Sequence, residues 1–304
     1  MSYLVTGGSG FLGRTLVRIL TERGENVVSY DRKIFEDQKY PFAQIQGDLS
    51  DLPTLLETIR THRVERIIHT AAISHPYYSR DIPYQTVLTN ALGTTHIFEA
   101  ARLSGIKRVV NLSSECVYGN NNELNIVHES ASLHPTTPYG ATKVFTEKLA
   151  AVYTDLYGME IPSLRPGWIY GPGQIMQCYM KNLFRNAIDG IPTYEEKGRD
   201  YRFQYVHVSD VAEACILAAT ASGLKNYVYN VTAGTQISYA DLEQYVKELF
   251  PEAEIDIGEG TIDVLDANAI FDISLAKQEL GYAPKIELKN GMAQYAQWLR
   301  TNDY

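Results

Sequence analysis

Near the N-terminus a short apolar run, Tyr3-Leu4-Val5-Thr6, ends in Gly7-Gly8-Ser9-Gly10-Phe11-Leu12-Gly13 and opens directly into a helical pattern. Glycines at Gly7, Gly10 and Gly13 permit a tight turn and close backbone approach. The first helical turn then offers free N–H groups and a partial positive charge to a pyrophosphate. Strand, loop and helix in this order point to a parallel α/β sheet with a dinucleotide at its carboxyl edge. The second strand ends at Tyr30-Asp31-Arg32. An acidic side chain about 20 residues beyond such a loop is where a ribose hydroxyl pair binds. Asp31 therefore favours NAD, whereas Arg32 is the residue that would face the 2′-phosphate of NADP, the less favoured cofactor.

The pattern continues through the first 165 residues. Candidate strands run Tyr3 to Thr6, Asn26 to Tyr30, Ala43 to Gln46, Arg66 to Thr70, Val109 to Ser113 and Ile161 to Arg165. Helical patterns at Phe11 to Arg23, Leu52 to His62, Tyr84 to Ser104 and Tyr139 to Tyr157 separate them. Strands joined by crossovers of helical length call for a doubly wound α/β fold with a parallel (Rossmann) sheet covered on both faces. After Gly171-Pro172-Gly173 the pattern loosens. A helix at Met180 to Asp189 precedes a run from Gln204 to Val208 expected to return to the sheet, with a helix at Val211 to Ala221. Further helices are expected at Tyr239 to Leu249 and Leu288 to Leu299. The expected division is a cofactor domain over 1–170 with a return segment at about 204–232, and a smaller C-terminal substrate-binding lobe from 171–203 and 233–304.

Composition narrows the partners. A formal net charge of −9 argues against a nucleic-acid or anionic-membrane surface, which needs a basic stripe. No apolar run approaches the roughly 18 residues of a membrane span, and Met1 to Thr6 carries no basic stretch with a cleavage site, so no leader is expected. Cys116, Cys178 and Cys215 form neither a C-x-x-C pair nor a framework, which fits reduced thiols in the cytoplasm. The seven histidines contain no H-E-x-x-H or comparable cluster, so no metal site is expected. A small molecule is the expected substrate.

Other residues carry chemistry by position. Asp48, at the end of the third strand, is placed to accept from an adenine amino group or to cap the helix near Leu52, a role open to Ser50 and Asp51 as well. Ala71 and Ala72, after the fourth strand, are small enough for a ligand to lie against backbone. Tyr139 and Lys143 stand one helical turn apart, a spacing at which an ammonium is expected to lower the phenol from about 10. Such a tyrosine is a general acid or base for a carbinol proton. Ser113-Ser114 ends strand five at the same carboxyl edge, where a hydroxyl can hold the substrate oxygen.

The chain resembles the extended short-chain dehydrogenases/reductases, the NAD-dependent epimerases/dehydratases. The likeness rests on Gly7-x-x-Gly10-x-x-Gly13, Asp48-Leu49, Ala71-Ala72, Asn90 with Gly93-Thr94, Ser113-Ser114 with Val117-Tyr118-Gly119, Tyr139-x-x-x-Lys143, Arg165-Pro166, Tyr170-Gly171-Pro172-Gly173, and the block from His207 to Ala212. Phe271-Asp272-Ile273-Ser274 and Leu280-Gly281-Tyr282 add to it. The resemblance implies a catalytic triad of Ser114, Tyr139 and Lys143, with Lys143 also bonding the nicotinamide ribose. It further implies that Phe11, Leu12, Asp31, Asp48, Leu49, Ala71, Ala72, Asn90 and Pro166 line the cofactor.

Within that family the shared step removes a hydroxyl proton and transfers a hydride to NAD. Sugar 4,6-dehydratases are expected to add an Asp-Glu pair after the strand-five hydroxyl, where this chain has Glu115 and Cys116. An epimerase needs no such pair. Against the sugar-nucleotide pattern, Trp168 replaces an expected asparagine, and Phe203-Gln204-Tyr205 replaces the signature whose arginine grips a diphosphate, leaving Arg202 one place away. Expected substrate contacts are Ser74, His75, Ser114 and Glu115, together with Cys116, Trp168, Tyr179 and Arg202, with Cys116 a packing residue and not a nucleophile. The expected activity is an NAD-dependent epimerase acting on a sugar nucleotide or related sugar. A net dehydrogenase of a free sugar, sugar acid or other secondary alcohol is the alternative, and a non-catalytic dinucleotide sensor ranks below both. The resemblance also implies a homodimer through the helices at Tyr84 to Ser104 and Tyr139 to Tyr157.

Overall fold

The computed structural model describes residues 1–35 and 41–302. Seven parallel strands form its central sheet: β1 (Ser2–Thr6), β2 (Asn26–Asp31), β3 (Ala43–Gln46), β4 (Arg66–His69), β5 (Arg108–Leu112), β6 (Ser163–Pro166) and β7 (Val228–Val231). Their spatial order is β7-β6-β5-β4-β1-β2-β3. The order reverses beside β1, which pairs with β2 on one side and β4 on the other. A crevice at the carboxyl ends of the strands opens at such a reversal, and the glycine loop leaves β1 there.

Side chains alternate across the sheet as the two-residue period demands. Along β1, Tyr3 and Val5 enter one core while Leu4 enters the other. The first core is closed by the helix Phe11–Glu22, which buries Leu12, Leu16, Val17 and Leu20, and by the helix Val208–Thr220 packed beside it. Helices Leu52–Thr61, Gly93–Leu103 and Pro138–Tyr157 cover the opposite face. A third cluster, including Phe184, Phe203, Leu242, Met292 and Tyr295, gathers side chains from beyond the sixth strand. Among the described residues, no helix is long and apolar enough to cross a membrane.

Four elements differ from the sequence expectation. The run at Gln204 to Val208 does not return to the central sheet; Tyr205–His207 pairs in parallel with Trp168–Tyr170 as a separate ribbon. The seventh strand is Val228–Val231, paired with β6. It tolerates a buried Asn230 because that amide donates to the carbonyls of Val127 and Asp272, while its oxygen accepts from Tyr118 at 2.7 Å. The expected helix from Tyr84 to Ser104 is interrupted by a π turn at Leu88–Leu92, and an additional short helix spans Pro76–Asp81.

Candidate active site

The glycine loop is built for close approach. Gly7 adopts φ of +70°, and a Cβ there would lie 2.7 Å from the Ala71 nitrogen. At Gly13 a Cβ would come 2.0 Å from the Gly7 carbonyl oxygen, so the helix begins against the backbone of the loop. Asp31 accepts from the Ser9 and Lys33 amides, each at 3.1 Å, which fixes its carboxylate beside the loop. A pocket of about 1010 Å³ runs along this edge, lined by Asp31, Arg32, Asp48, Leu49, Ala71 and Ala72. Gly93 and His96, from the helix opposite, complete its wall. Asp48 is not the helix cap. Asp51 accepts from the Thr54 amide, while Asp48 accepts from the amide and hydroxyl of Ser50, bonds that hold its carboxyl below the usual range.

Asn90 sits in the π turn, 1% exposed. Its amide is committed to protein: the oxygen accepts from the Ile73 amide at 2.8 Å, and the nitrogen donates to the Ile73 carbonyl and to the Thr142 hydroxyl. The wide turn thereby fastens the end of β4 to the helix Pro138–Tyr157, a use of π geometry frequent near functional sites. Behind it lies His69, which sequence reading did not single out. Its Nε2 meets the Thr94 hydroxyl, whose own proton goes to the Asn90 carbonyl. That commitment assigns the imidazole proton to Nε2 and leaves Nδ1 to accept from Thr6. Burial pushes this histidine down to about 3, so it is a neutral strut.

Helix Pro138–Tyr157 starts from a Thr137 cap whose hydroxyl accepts from the Gly140 amide, with proline at the first position. A Cβ on Gly140 would lie 2.4 Å from the Cys116 carbonyl oxygen, so glycine lets the helix reach the turn that follows β5. The result brings Ser114, Tyr139 and Lys143 together, all buried. The Ser114 hydroxyl lies close enough to the Tyr139 phenol to lower it, and accepts from the Cys116 amide at 3.2 Å. The Lys143 ammonium lies 5.6 Å from the Tyr139 ring centre and donates to the Leu112 carbonyl at the end of β5.

The electrostatics correct one expectation. Lys143 does not lower the Tyr139 phenol in this fold. Burial pushes the phenol above its ordinary 10, and the nearby Ser114 hydroxyl offsets only part of this. The same burial brings Lys143 down to about 8, against the pull of Glu147. Desolvation outweighs a cation one helical turn away.

Beside this trio a second pocket is lined by Glu115, Cys116 and Trp168 together with Tyr77, Arg80 and Asp266. Burial and the nearby Asp266 raise Glu115 to about 8, and burial raises the Cys116 thiol to about 12. The other expected contacts lie outside that lining. His75 caps the helix Pro76–Asp81 by accepting from the Tyr77 amide and packs 4.5 Å from the Tyr78 ring. Ser74 donates to the Met176 sulfur. Tyr179 packs its ring against Phe203 and Tyr239, and Arg202 is exposed on a ribbon paired with Ser238. Among the described residues, no cluster of histidine, cysteine and carboxylate side chains could hold a metal ion.

The sequence profile of the NAD dependent epimerase/dehydratase family matches residues 3–232, well over half of the chain. The chain belongs to this family. It is 29% identical to a dTDP-glucose 4,6-dehydratase of Streptomyces antibioticus, over 99% of this chain and 93% of the relative. Its fold matches MoeE5 in complex with UDP-glucuronic acid and NAD, with a TM-score of 0.90, 29% identity and 99% of each chain covered. It also matches the UDP-glucose 4-epimerase of Thermotoga maritima in complex with UDP-glucose, with a TM-score of 0.89, 26% identity and 99% of each chain covered.

As in its family, the cofactor of this enzyme is NAD. The residues fit it: two glycines whose Cβ atoms would clash, a long pocket beside them, and a carboxylate fixed at the end of β2. The loop glycines and Phe11, Leu12 and Gly13 at the helix start would hold the pyrophosphate, and Asp31 the ribose hydroxyls. Bound there, NAD supplies a hydride acceptor and a positive nicotinamide ring. Phe11 faces Gly173, and Pro166 is buried at the end of β6.

One epimerase-family motif, Arg165-Pro166, is explained by packing. Arg165 donates to both Glu147 oxygens at 2.8 and 2.6 Å and to the Tyr118 hydroxyl at 2.7 Å, and Ser113 donates to the same Glu147. Both charged side chains are 3% exposed. Through this network the helix that carries Tyr139 and Lys143 is bolted to β5, β6 and β7.

Proposed function

We propose that this enzyme inverts a secondary hydroxyl of a sugar nucleotide, by removing a hydride from that carbon and returning it to the opposite face. Tyr139 exchanges the proton with the substrate hydroxyl, Ser114 holds the same oxygen, and Lys143 keeps positive potential beside them. Residues 171–203 and 233–304 supply most of the substrate-binding part, and residues 1–170 with the return segment hold the cofactor.

The observation that carries this reading is Cys116. Elimination of water needs an acid for the leaving hydroxyl and a base for a neighbouring C–H. Glu115, raised to about 8, stays protonated near neutral pH and serves as an acid. The thiol beside it, raised to about 12, is not a thiolate and takes no proton from carbon. Inversion requires neither. Incubation with UDP-glucose, followed by NMR of the sugar and absorbance at 340 nm, tests this. The expected result is the C4-inverted sugar with NAD retained through gel filtration and a flat trace. A deoxy-keto product, or NADH formed in step with sugar consumption, would replace the reading.

The same reading includes a homodimer. Tyr84, Val87 and Leu103 on one helical segment and Phe145, Val152 and Leu156 on the neighbouring helix are all exposed. Apolar side chains concentrated on adjacent helices support association through that face. Light scattering is expected to give the mass of two chains, and a single-chain mass at micromolar concentration would refute it. The substrate is a small molecule, with no role for nucleic acid or membrane. The free thiols Cys116, Cys178 and Cys215 support a cytoplasmic location.

A further inference from the structure

Glu115 is 7% exposed, lines the pocket beside Tyr139, and among the described residues its carboxyl receives no hydrogen bond from protein. Leaving such a group without a partner is costly, so its natural partner is a group that enters the pocket. Facing it, Asp266 accepts from the Thr136 hydroxyl at 2.8 and 2.9 Å, and its backbone carbonyl accepts from Tyr201. The cation of this corner, Arg80, is already occupied: it donates to the Val264 carbonyl at 3.2 Å, lies 5.6 Å from the Tyr77 ring centre, and offsets the charge of Asp266.

We propose that Glu115, with Asp266, reads the glycosyl group of the substrate and makes this pocket take a neutral or amino-substituted hexose in preference to a hexuronate. The inference rests on the sugar-nucleotide reading above and names its substrate class. Burial raises Asp266 while Thr136 and Arg80 draw it back, so with Glu115 protonated the corner holds at most one carboxylate charge against one guanidinium. A neutral hexose leaves that balance intact and gives Glu115 hydroxyls to bond. An amino sugar brings a cation that Glu115 neutralises by ionising. A hexuronate instead adds a second carboxylate charge with one guanidinium to answer it, and like charges in a pocket shielded from water repel strongly. The raised position of Glu115 already reflects that a further negative charge is unwelcome there.

Titration calorimetry of the NAD-loaded enzyme tests this with UDP-glucose, UDP-glucosamine, UDP-glucuronate, UDP and dTDP. UDP-glucuronate is expected to bind about tenfold or more weakly than the other two sugars, the order that one unrelieved like-charge contact produces. Asp266→Asn is expected to narrow that gap, and Glu115→Gln, which takes no charge from the protonated acid, to leave it in place while weakening UDP-glucosamine selectively; UDP affinity stays in place in both. Equal or tighter binding of UDP-glucuronate by the wild-type enzyme, a gap untouched by Asp266→Asn, or UDP-glucosamine binding untouched by Glu115→Gln overturns the proposal, while UDP binding leaves the sugar-nucleotide reading standing. If neither UDP nor dTDP binds, that reading falls and this inference with it.

Discussion

Replacing Tyr139 by phenylalanine is expected to lower kcat by roughly 10²- to 10⁴-fold, the range for loss of a positioned acid–base group. The ring remains, so packing against the turn after β5 is preserved and only the hydroxyl is removed. Ser114 keeps its bond from the Cys116 amide, so NAD retention and Tm should move little. Steady-state turnover of UDP-glucose, with calorimetry of NAD binding alongside, separates the two effects. Turnover close to wild type would end the acid–base assignment. The phenol is held above its ordinary value by burial in the fold alone, so its unaided state is that of a proton donor. The proton-accepting form needs positive charge close by, and Lys143 is the protein's own source. Lys143→Met should therefore lose turnover comparably, and Lys143→Arg should restore little, because the ammonium is fitted to the Leu112 carbonyl in a buried niche.

Glu147→Ala is expected to be the most destabilising single change near the site. It strands the Arg165 guanidinium, 3% exposed, without its counter-charge. Breaking one side of a buried pair costs about 3–5 kcal/mol, which corresponds to a fall in Tm of roughly 5–8 °C for a chain of this size. Arg165→Ala should cost a similar amount and also release Tyr118 from its 2.7 Å bond. A double replacement by apolar residues of similar volume, Glu147→Leu with Arg165→Met, should be milder than either alanine, since no charge is then left stranded. Calorimetric melting of the three variants decides the matter. If the double variant is the least stable, the pair contributes net attraction beyond its desolvation cost. If Glu147→Ala melts within about 2 °C of wild type, the network does not hold the helix in place. Glu147 also holds the Lys143 ammonium up against desolvation, so its removal should lower Lys143 further.

What the sequence revealed was local, and what it hid was long-range. Gly7, Gly10, Gly13 and Asp31 lie within one βαβ unit, where chain geometry alone sets their relation. Tyr139 and Lys143 share one helix. Asp266 could not be placed beside Glu115, because the two meet only through the folding of distant segments, and no spacing rule spans that interval. The phenol of Tyr139 was expected to fall because adjacency to a lysine is visible in sequence, whereas burial is a property of the assembled core. The strand at Val228–Val231 was obscured by Asn230, a poor strand residue until Tyr118, Val127 and Asp272 satisfy its amide. Asn90 reads as a cofactor contact by family likeness, and in the fold its side chain is spent on Ile73 and Thr142.

The ribbons outside the central sheet join partners far apart along the chain: Thr193–Glu195 with Ile255–Ile257, and Ile126–Val127 with Ile270–Phe271. Between the halves of the third cluster the chain leaves to lay down β7 against β6. Its core therefore closes only when segments on either side of β7 are brought back together, and each such closure costs loop entropy before contact rewards it. The first core has the same need, since Ala276, Leu280 and Tyr282 reach it from late in the chain. The two halves are thus laced together by the connectivity, and neither core is complete without residues that follow the seventh strand.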